Sequence, residues 1–202
     1  MKRFNNNQIL KKALVPMCAL IIFIITAFTG QQVKAQSVYT LALGSQISVA
    51  GTSNLHDWTM NASKFSVDGK LTVVSGQLKD INSLVFVLPV KNLKSKESLM
   101  DTRAYKTLNV ETHDKMIFKL TGATVVEAQK IVKVTGNLTI AGVTKAIALQ
   151  ANYTVAADES VTFKGSKAIK MSDFKIKAPS FMMGALKTGD DLIINITLKL
   201  KK

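Results

Sequence analysis

Strict two-residue alternation of apolar and polar side chains is the feature that most restricts what this chain can fold into. In DDLIINITLKLKK, residues 190–202, Leu192, Ile194, Ile196, Leu198 and Leu200 share one parity, while Asn195, Thr197, Lys199 and Lys201 share the other. Successive side chains on a strand point to opposite faces, so a segment written this way buries one face and wets the other. Residues 131–140 repeat the pattern, with Val132, Val134, Gly136, Leu138 and Ile140 opposing Lys133, Thr135, Asn137 and Thr139. In 115–126, Met116, Phe118, Leu120 and Val126 oppose Lys115, Lys119 and Thr121; in 161–171, Val161, Phe163, Gly165, Ile169 and Met171 oppose Lys164. Further strands are expected at 38–51, 57–62, 65–74, 78–90 and 145–155.

Asp68-Gly69, Ser75-Gly76, Gly142, Lys164-Gly165 and Thr188-Gly189-Asp190 supply turn chemistry, with Gly165 alternatively a bulge. Short connections without βαβ spacing read as an antiparallel meander. About eight such strands, each with one wet face, close most economically into a barrel, because closure removes the exposed edges. A barrel of that size either fills with its own side chains or holds one small ligand. Aromatics are only 6% of the residues, and small or adaptable side chains recur at inward positions (Met60, Ala62, Met116, Gly136, Gly165, Met171), which favours a flexible guest. The self-filled barrel stays open as the alternative.

Two segments break the alternation. Residues 95–109, SKESLMDTRAYKTLN, carry Leu99, Met100, Ala104 and Leu108 at helical spacing, with Lys96, Glu97, Asp101 and Lys106 elsewhere and Ser95 and Ser98 as expected caps. Residues 177–191 form a connection rich in apolar groups (Phe181, Met182, Met183, Leu186), which needs a burial partner such as a barrel mouth.

The first 35 residues follow the order of a secretory signal peptide: a basic start (Lys2, Arg3, Lys11, Lys12), an apolar run over 13–28, then Val33-Lys34-Ala35. Cleavage is expected after Ala35, leaving 36–202 as one domain in the periplasm or outside the cell. The alternative is an uncleaved anchor, for which the run is short and interrupted by Pro16. Cleavage would lower the formal charge from +14 to +9 and remove Cys18, the single cysteine, so the domain must hold together without a disulfide. The remaining lysines are dispersed, without a basic helix or an interleaved aromatic platform. That excludes a nucleic-acid reading and leaves transient contact with anionic membrane surfaces.

The stretch ISVAGTSNLHDWTM, residues 47–60, holds His56, Asp57 and the only tryptophan, Trp58. His113-Asp114 repeats the His-Asp pair. Zinc sites collect three or four ligands, and adjacent residues on a strand face apart, so neither pair makes a metal site. No G-x-S-x-G elbow, phosphate loop or dinucleotide fingerprint is present. No catalytic residues, metal ligands or cofactor are therefore expected. His56 and Asp57 read as corner or entrance hydrogen-bonding groups, with Trp58 packed below them.

Four pieces in order then carry a resemblance: GTSNLHDW; LPVKNLKSKESLMDTRAYKTLN before KMIFKL; VTGNLTIAGVTKAIAL; and DFKIKAPSFMMGALKTGDDLIINITLKL. The chain resembles the YceI-like family of extracytoplasmic lipid-binding proteins, also called polyisoprenoid-binding proteins. The resemblance implies an eight-stranded antiparallel, lipocalin-like β-barrel with one short inserted α-helix, whose elongated apolar lumen holds an isoprenoid or fatty-acyl chain. SLMDTRAYKTL replaces an Arg-Asp-rich signature found in one common form of the family, so headgroup preference does not carry over. In such a barrel the expected lipid contacts are His56, Trp58, Met60, Phe86, Leu88, Met100, Tyr105, Phe118, Leu138, Ile140, Phe163, Phe181 and Met182. The implied ligand is non-covalent: an isoprenoid quinone, an isoprenyl precursor or a fatty-acyl amphiphile, carried or sequestered. The rival reading is a structural or protein-interaction barrel without a ligand. Burying about 15 carbons gains on the order of 12 kcal/mol at ~0.8 kcal/mol per CH₂, against association costs of roughly 4–15 kcal/mol, so length and girth would decide affinity more than the head does.

Overall fold

The computed structural model describes residues 36–202. The segment 1–35 and its expected cleavage lie outside the described residues. The elements are β1 (Ser37–Leu41), β2 (Gln46–Ser53), β3 (Trp58–Ala62), β4 (Ser66–Val74), β5 (Gln77–Pro89), α1 (Ser98–Thr107), β6 (Lys115–Val126), β7 (Ile131–Ile140), β8 (Val143–Val155), β9 (Val161–Lys170), β10 (Ser180–Phe181) and β11 (Leu186–Lys201). Every strand pairing is antiparallel, and the ladder runs β1-β4-β5-β6-β7-β8-β9-β11 and returns from β11 to β1. That ring of eight is the expected barrel. Among the described residues no helix is long and apolar enough to cross a membrane.

Eleven strands make eight staves because some are interrupted. β2 continues β1 along the edge of β11, and β3 continues β4 along the same bent hairpin. The break at 42–45, within the span read from the sequence as one strand, is held by the buried Ser45. Its hydroxyl lies 2.9 Å from the Ala42 carbonyl and 3.1 Å from the Lys199 carbonyl and accepts the Lys199 N–H at 2.9 Å. A side chain thus takes up the ladder bonds that the interruption leaves.

Two hairpins close with a pair of residues at positive φ, Ser75-Gly76 (51° and 71°) and Ala141-Gly142 (47° and 79°), the primed turn that matches strand twist. The other expected turns are strand interior. Gly69 pairs with Tyr39 and Leu84 inside β4. Gly165 lies in regular ladder between Ala151 and Ile196, and an added Cβ there would stand 2.7 Å from the Gln150 carbonyl. Here glycine permits close backbone approach and marks neither a turn nor a bulge. Thr188-Gly189-Asp190 falls within β11, where its register against β2 shifts.

Two seams of the barrel are only half laddered. β5 meets β6 only through 85–89 opposite 115–119, and the splayed half is bridged by Lys79 and Glu127 at 2.6 Å. β8 meets β9 only through 151–155 opposite 161–165. On both lips of that second seam the inward parity carries a lysine: Lys145 lies opposite Leu138, and Lys167 opposite Ile194.

α1 is shorter than its sequence pattern and differently anchored. Glu97 occupies the N-cap position with no side-chain capping bond, so neither Ser95 nor Ser98 caps it. Leu99, expected on the buried face, is 58% exposed, and Asp101, expected on the wet face, is buried. The Asp101 carboxylate accepts the Ser95 amide at 2.7 Å and the Ser95 hydroxyl at 2.8 Å, with Lys94 Nζ at 3.5 Å. A buried charge that is so thoroughly hydrogen-bonded ties α1 to the strand-to-helix segment.

Candidate functional site: an apolar lumen with a polar mouth

One end of the barrel is filled. Tyr39, Leu71, Leu78, Tyr153, Val161 and Leu200 are at most 1% exposed and form a floor. Above it lie two cavities, a lower one of about 140 Å³ and an upper one of about 220 Å³. Val49, Met116, Ile140 and Ile194 line both, so the two cavities adjoin across a shared wall and together make up the lumen of the barrel. From Val132 to Ile140 this lumen follows about 26 Å of strand β7, roughly 20 Å along the axis at a barrel tilt of about 40°.

The lower cavity is lined by apolar side chains with a single polar exception, Lys167. Phe86, Phe118 and Leu138 form one cross-strand row facing it, and Leu88 and Phe163 add to the wall. The upper cavity is lined by Trp58, Met60, Met100 and Ile140 and gathers its polar groups at the rim, among them Ser53, His56, Glu97, Arg103 and Thr188.

The rim is built by local hydrogen bonding. Between β2 and β3 the Ser53 hydroxyl accepts the amides of Leu55 and His56 at 3.2 and 3.1 Å. Asn54 clasps the start of β11, donating to the Ala185 carbonyl at 2.7 Å and accepting the Lys187 amide at 2.9 Å. The His56 ring lies 2.8 Å from the Asp57 backbone carbonyl, so the corner uses the main chain of Asp57, with Ser53 and Asn54 doing what the Asp57 carboxylate was expected to do. Trp58 donates its indole N–H to the Thr52 carbonyl at 3.1 Å and lays its ring on Gly51, where a Cβ would come within 2.3 Å. Gly136 likewise receives the Phe118 ring. These two glycines make room for aromatic rings, whereas the sequence had Gly136 leaving space for a guest.

Tyr105 does not join the lumen. Its hydroxyl donates to the carbonyls of Leu93 at 2.8 Å and Lys91 at 3.1 Å, and Lys94 Nζ stands 5.1 Å above its ring, so it moors α1 to the segment before it. The Lys94 ammonium is held above its usual pKa by its contact with Tyr105, with Asp101 adding in the same direction. Burial opposes ionisation of Asp101, yet the two Ser95 hydrogen bonds and the Lys94 charge outweigh it and hold the carboxyl below its ordinary value. Phe181 has its backbone in β10 and Met182 follows it; their side chains lie outside those described.

Several lining residues were not among the expected lipid contacts. Leu93 and Leu108 flank α1, and Ile169, Met171, Phe174 and Ile176 come from the end of β9 and the turn after it. Ile169 and Met171 carried a signal in their parity. Phe174 and Ile176 carried none, because the chain leaves the ladder through a 3-10 turn at Ser172–Phe174, pinned by Asp190 to the Ser172 amide at 2.8 Å and hydroxyl at 2.5 Å. Among the described residues no three of His, Cys, Asp and Glu gather closely enough to hold a metal ion.

A closed antiparallel barrel around an elongated apolar lumen, open through a polar rim, defines an internal-cavity β-barrel. The YceI-like domain model matches residues 39–200, nearly all of this barrel, and the chain belongs to that family. Solved structures agree on the fold. BcnA of Burkholderia cenocepacia superposes with a TM-score of 0.66 at 16% identity, over 79% of this chain and 98% of its own. A polyisoprenoid binding domain from Saccharophagus degradans gives 0.61 at 16% identity, over 81% and 97%. The YCEI protein of Campylobacter jejuni gives 0.56 at 18% identity, over 100% and 99%. No curated protein matches the sequence.

Proposed function

We propose that this protein binds one long apolar chain, isoprenoid or fatty-acyl, in the barrel lumen, and serves outside the cytoplasm as a carrier or sequestering protein. The observation that carries the reading is the stacking of two apolar cavities that share Val49, Met116, Ile140 and Ile194, with polar groups confined to the rim apart from Lys167. Such a lumen rewards a slender hydrocarbon with burial along its whole length and offers little to a compact polar molecule. Met60, Phe86, Leu88, Phe118, Leu138, Ile140 and Phe163 would touch the chain, with His56, Trp58 and Met100 at the entrance. The polyisoprenoid binding of the Saccharophagus degradans domain supports the same class of ligand. The leader-like order of residues 1–35 supports export. Binding, with no chemistry on the ligand, is the role this lining suits.

Native mass spectrometry of protein purified from its own host, with organic extraction of what it carries, tests the proposal. A co-purifying long-chain lipid at near one per protein is the expected result. Repeated preparations that are empty by both methods contradict it.

A further inference from the structure

The two half-laddered seams are finished with opposite chemistry. Across β5–β6, Lys79 and Glu127 meet at 2.6 Å, and their unlike charges latch the unladdered stretch. Across β8–β9, pairing stops at Ala151 opposite Gly165 and is not resumed toward the mouth. The inward parity there carries Lys145 on one lip and Lys167 on the other, and among the described residues neither meets a carboxylate.

The main chain along this gap is wet. Odd-numbered residues of both strands bond away from the seam: the Tyr153 amide donates to the Lys130 carbonyl before β7 at 2.8 Å, and the Met171 amide to the Asp190 carbonyl of β11 at 2.9 Å. By alternation, Ala146, Ala148 and Gln150 on one lip and Ser166 and Ala168 on the other direct their amides and carbonyls into the seam, where the ladder offers no partner. All five residues are exposed, so water satisfies these groups. Four of the five are alanine or serine, and put nothing larger than a hydroxymethyl group over the gap.

The lysines report the same opening. Lys145 and Leu138 are direct cross-strand partners of one parity, yet Leu138 is 8% exposed while Lys145 is exposed. Lys145 reaches water by leaning through the seam beside it. Lys167 lines the lower cavity and is only half-buried. Completing the ladder would enclose both ammonium groups, unpaired, beside Ile147, Leu149 and Phe163, at a cost that a few extra ladder bonds do not offset. Inward-pointing charge is one of the devices that keep a strand edge unpaired. The gap is bounded. Below it the ladder closes, and above it Phe174 and Ile176 share a buried cluster with Val143 and Ile147 of β8. From Lys145 to Gln150 it follows about 17 Å of strand, alongside a lower cavity to which Ile147, Leu149 and Lys167 contribute.

We propose that this window is a side door through which the apolar chain enters and leaves the lumen, held open by Lys145 and Lys167. The proposal rests on the reading of the lumen above and adds the route. A slot parallel to the cavity admits a slender chain broadside, so the chain need not thread end-first past α1 and the rim.

A strap across the slot tests it. Cys18 is the single cysteine, so Cys18→Ser/Ala148→Cys/Ala168→Cys carries one thiol on the outer face of each lip, ready for a reducible thiol-to-thiol cross-linker. Stopped-flow energy transfer from Trp58 to cis-parinaric acid, a fluorescent long-chain fatty acid, reads the rates of entry and exit. The strap is expected to slow both by at least about tenfold and to leave Kd within about twofold, since it lies outside the lumen, with full recovery on reduction. The same linker on Cys18→Ser/Asn137→Cys/Ala146→Cys, across the laddered β7–β8 seam, should change neither rate. Lys145→Leu/Lys167→Leu should let the seam close, slowing exchange and protecting the Ala146, Ala148 and Ala168 amides from hydrogen exchange, whereas Lys145→Arg/Lys167→Arg should behave as wild type. A strapped protein that exchanges the probe as fast as its reduced form overturns the side door and leaves the lumen reading standing. Unchanged exchange and amide protection in the Leu variant overturn the role of the lysines. Failure of the unstrapped protein to bind the probe sinks the lumen reading and the door with it.

Discussion

The floor and the upper half of this barrel are written in the same alternating code yet come out solid and hollow. At the floor, Tyr39, Leu71, Tyr153 and Leu200 meet one another and leave no space, and the Tyr39 hydroxyl finds the Glu159 carbonyl at 3.1 Å. Higher up, Met116, Ile140 and Ile194 are equally apolar and face the same axis, but their tips border empty volume. Parity chooses the face, and the summed volume of the inward side chains at each level decides whether that level closes. Floor residues should therefore govern stability and lumen residues should govern binding.

Leu200→Ala should show the largest effect, about 2–5 kcal/mol lost in denaturant unfolding, because it opens a void among well-packed neighbours. Ile140→Ala should cost clearly less, since it enlarges a space that already exists, and should weaken chain binding instead. Equal losses at the two positions would erase the distinction between floor and lumen. Next comes Gly136→Ala. Its new Cβ would meet the Phe118 ring at 2.3 Å and the Lys119 carbonyl at 2.6 Å, and the carbonyl has little freedom to move. About 1–3 kcal/mol of destabilisation is expected from thermal melts, and a neutral result would mean that the glycine leaves real space.

The moorings of α1 over the mouth come third. Because hydrogen bonds and Lys94 hold the Asp101 carboxyl below its ordinary value, its stabilisation is fully present above the usual carboxylate pKa of about 3.9 and fades as pH falls through the lower folded value. Asp101→Asn should therefore melt below wild type at neutral pH, with the gap narrowing only in acid below about pH 4. A gap independent of pH would remove the charge from the explanation. Smallest of all is Tyr153→Phe. The Tyr153 hydroxyl is buried at the floor without a hydrogen-bond partner among the described residues, so its removal should leave Tm unchanged or slightly raised.

Much of this was legible from the sequence, for a physical reason. A two-residue period survives any tertiary arrangement, so Leu138 inside and Asn137 outside follow from the local pattern, and the closed ring follows from the number of such strands. The inserted helix was readable only in outline. Asp101 is buried because Ser95 and Lys94 satisfy it, and Tyr105 turns away from the lumen because the Lys91 and Leu93 carbonyls await its hydroxyl. Neither partner is announced by helical spacing. Phe174 and Ile176 reach the mouth from outside the ladder, through the 3-10 turn that follows β9.

The central claim is that the lumen is a chain-binding space, and a single pair of variants tests it most directly. Leu138 is 8% exposed and lines the lower cavity, while its neighbour Asn137 is exposed on the outer face. Bound lipid per protein, together with melting of the lipid-free form, should be measured for Leu138→Trp and Asn137→Trp. The account predicts that Leu138→Trp loses the lipid with little change in apo-protein melting, whereas Asn137→Trp keeps both near wild type. A Leu138→Trp protein destabilised by about 1–3 kcal/mol, from a parent that carried no lipid to lose, would contradict it, because that is how a barrel already filled by its own side chains responds.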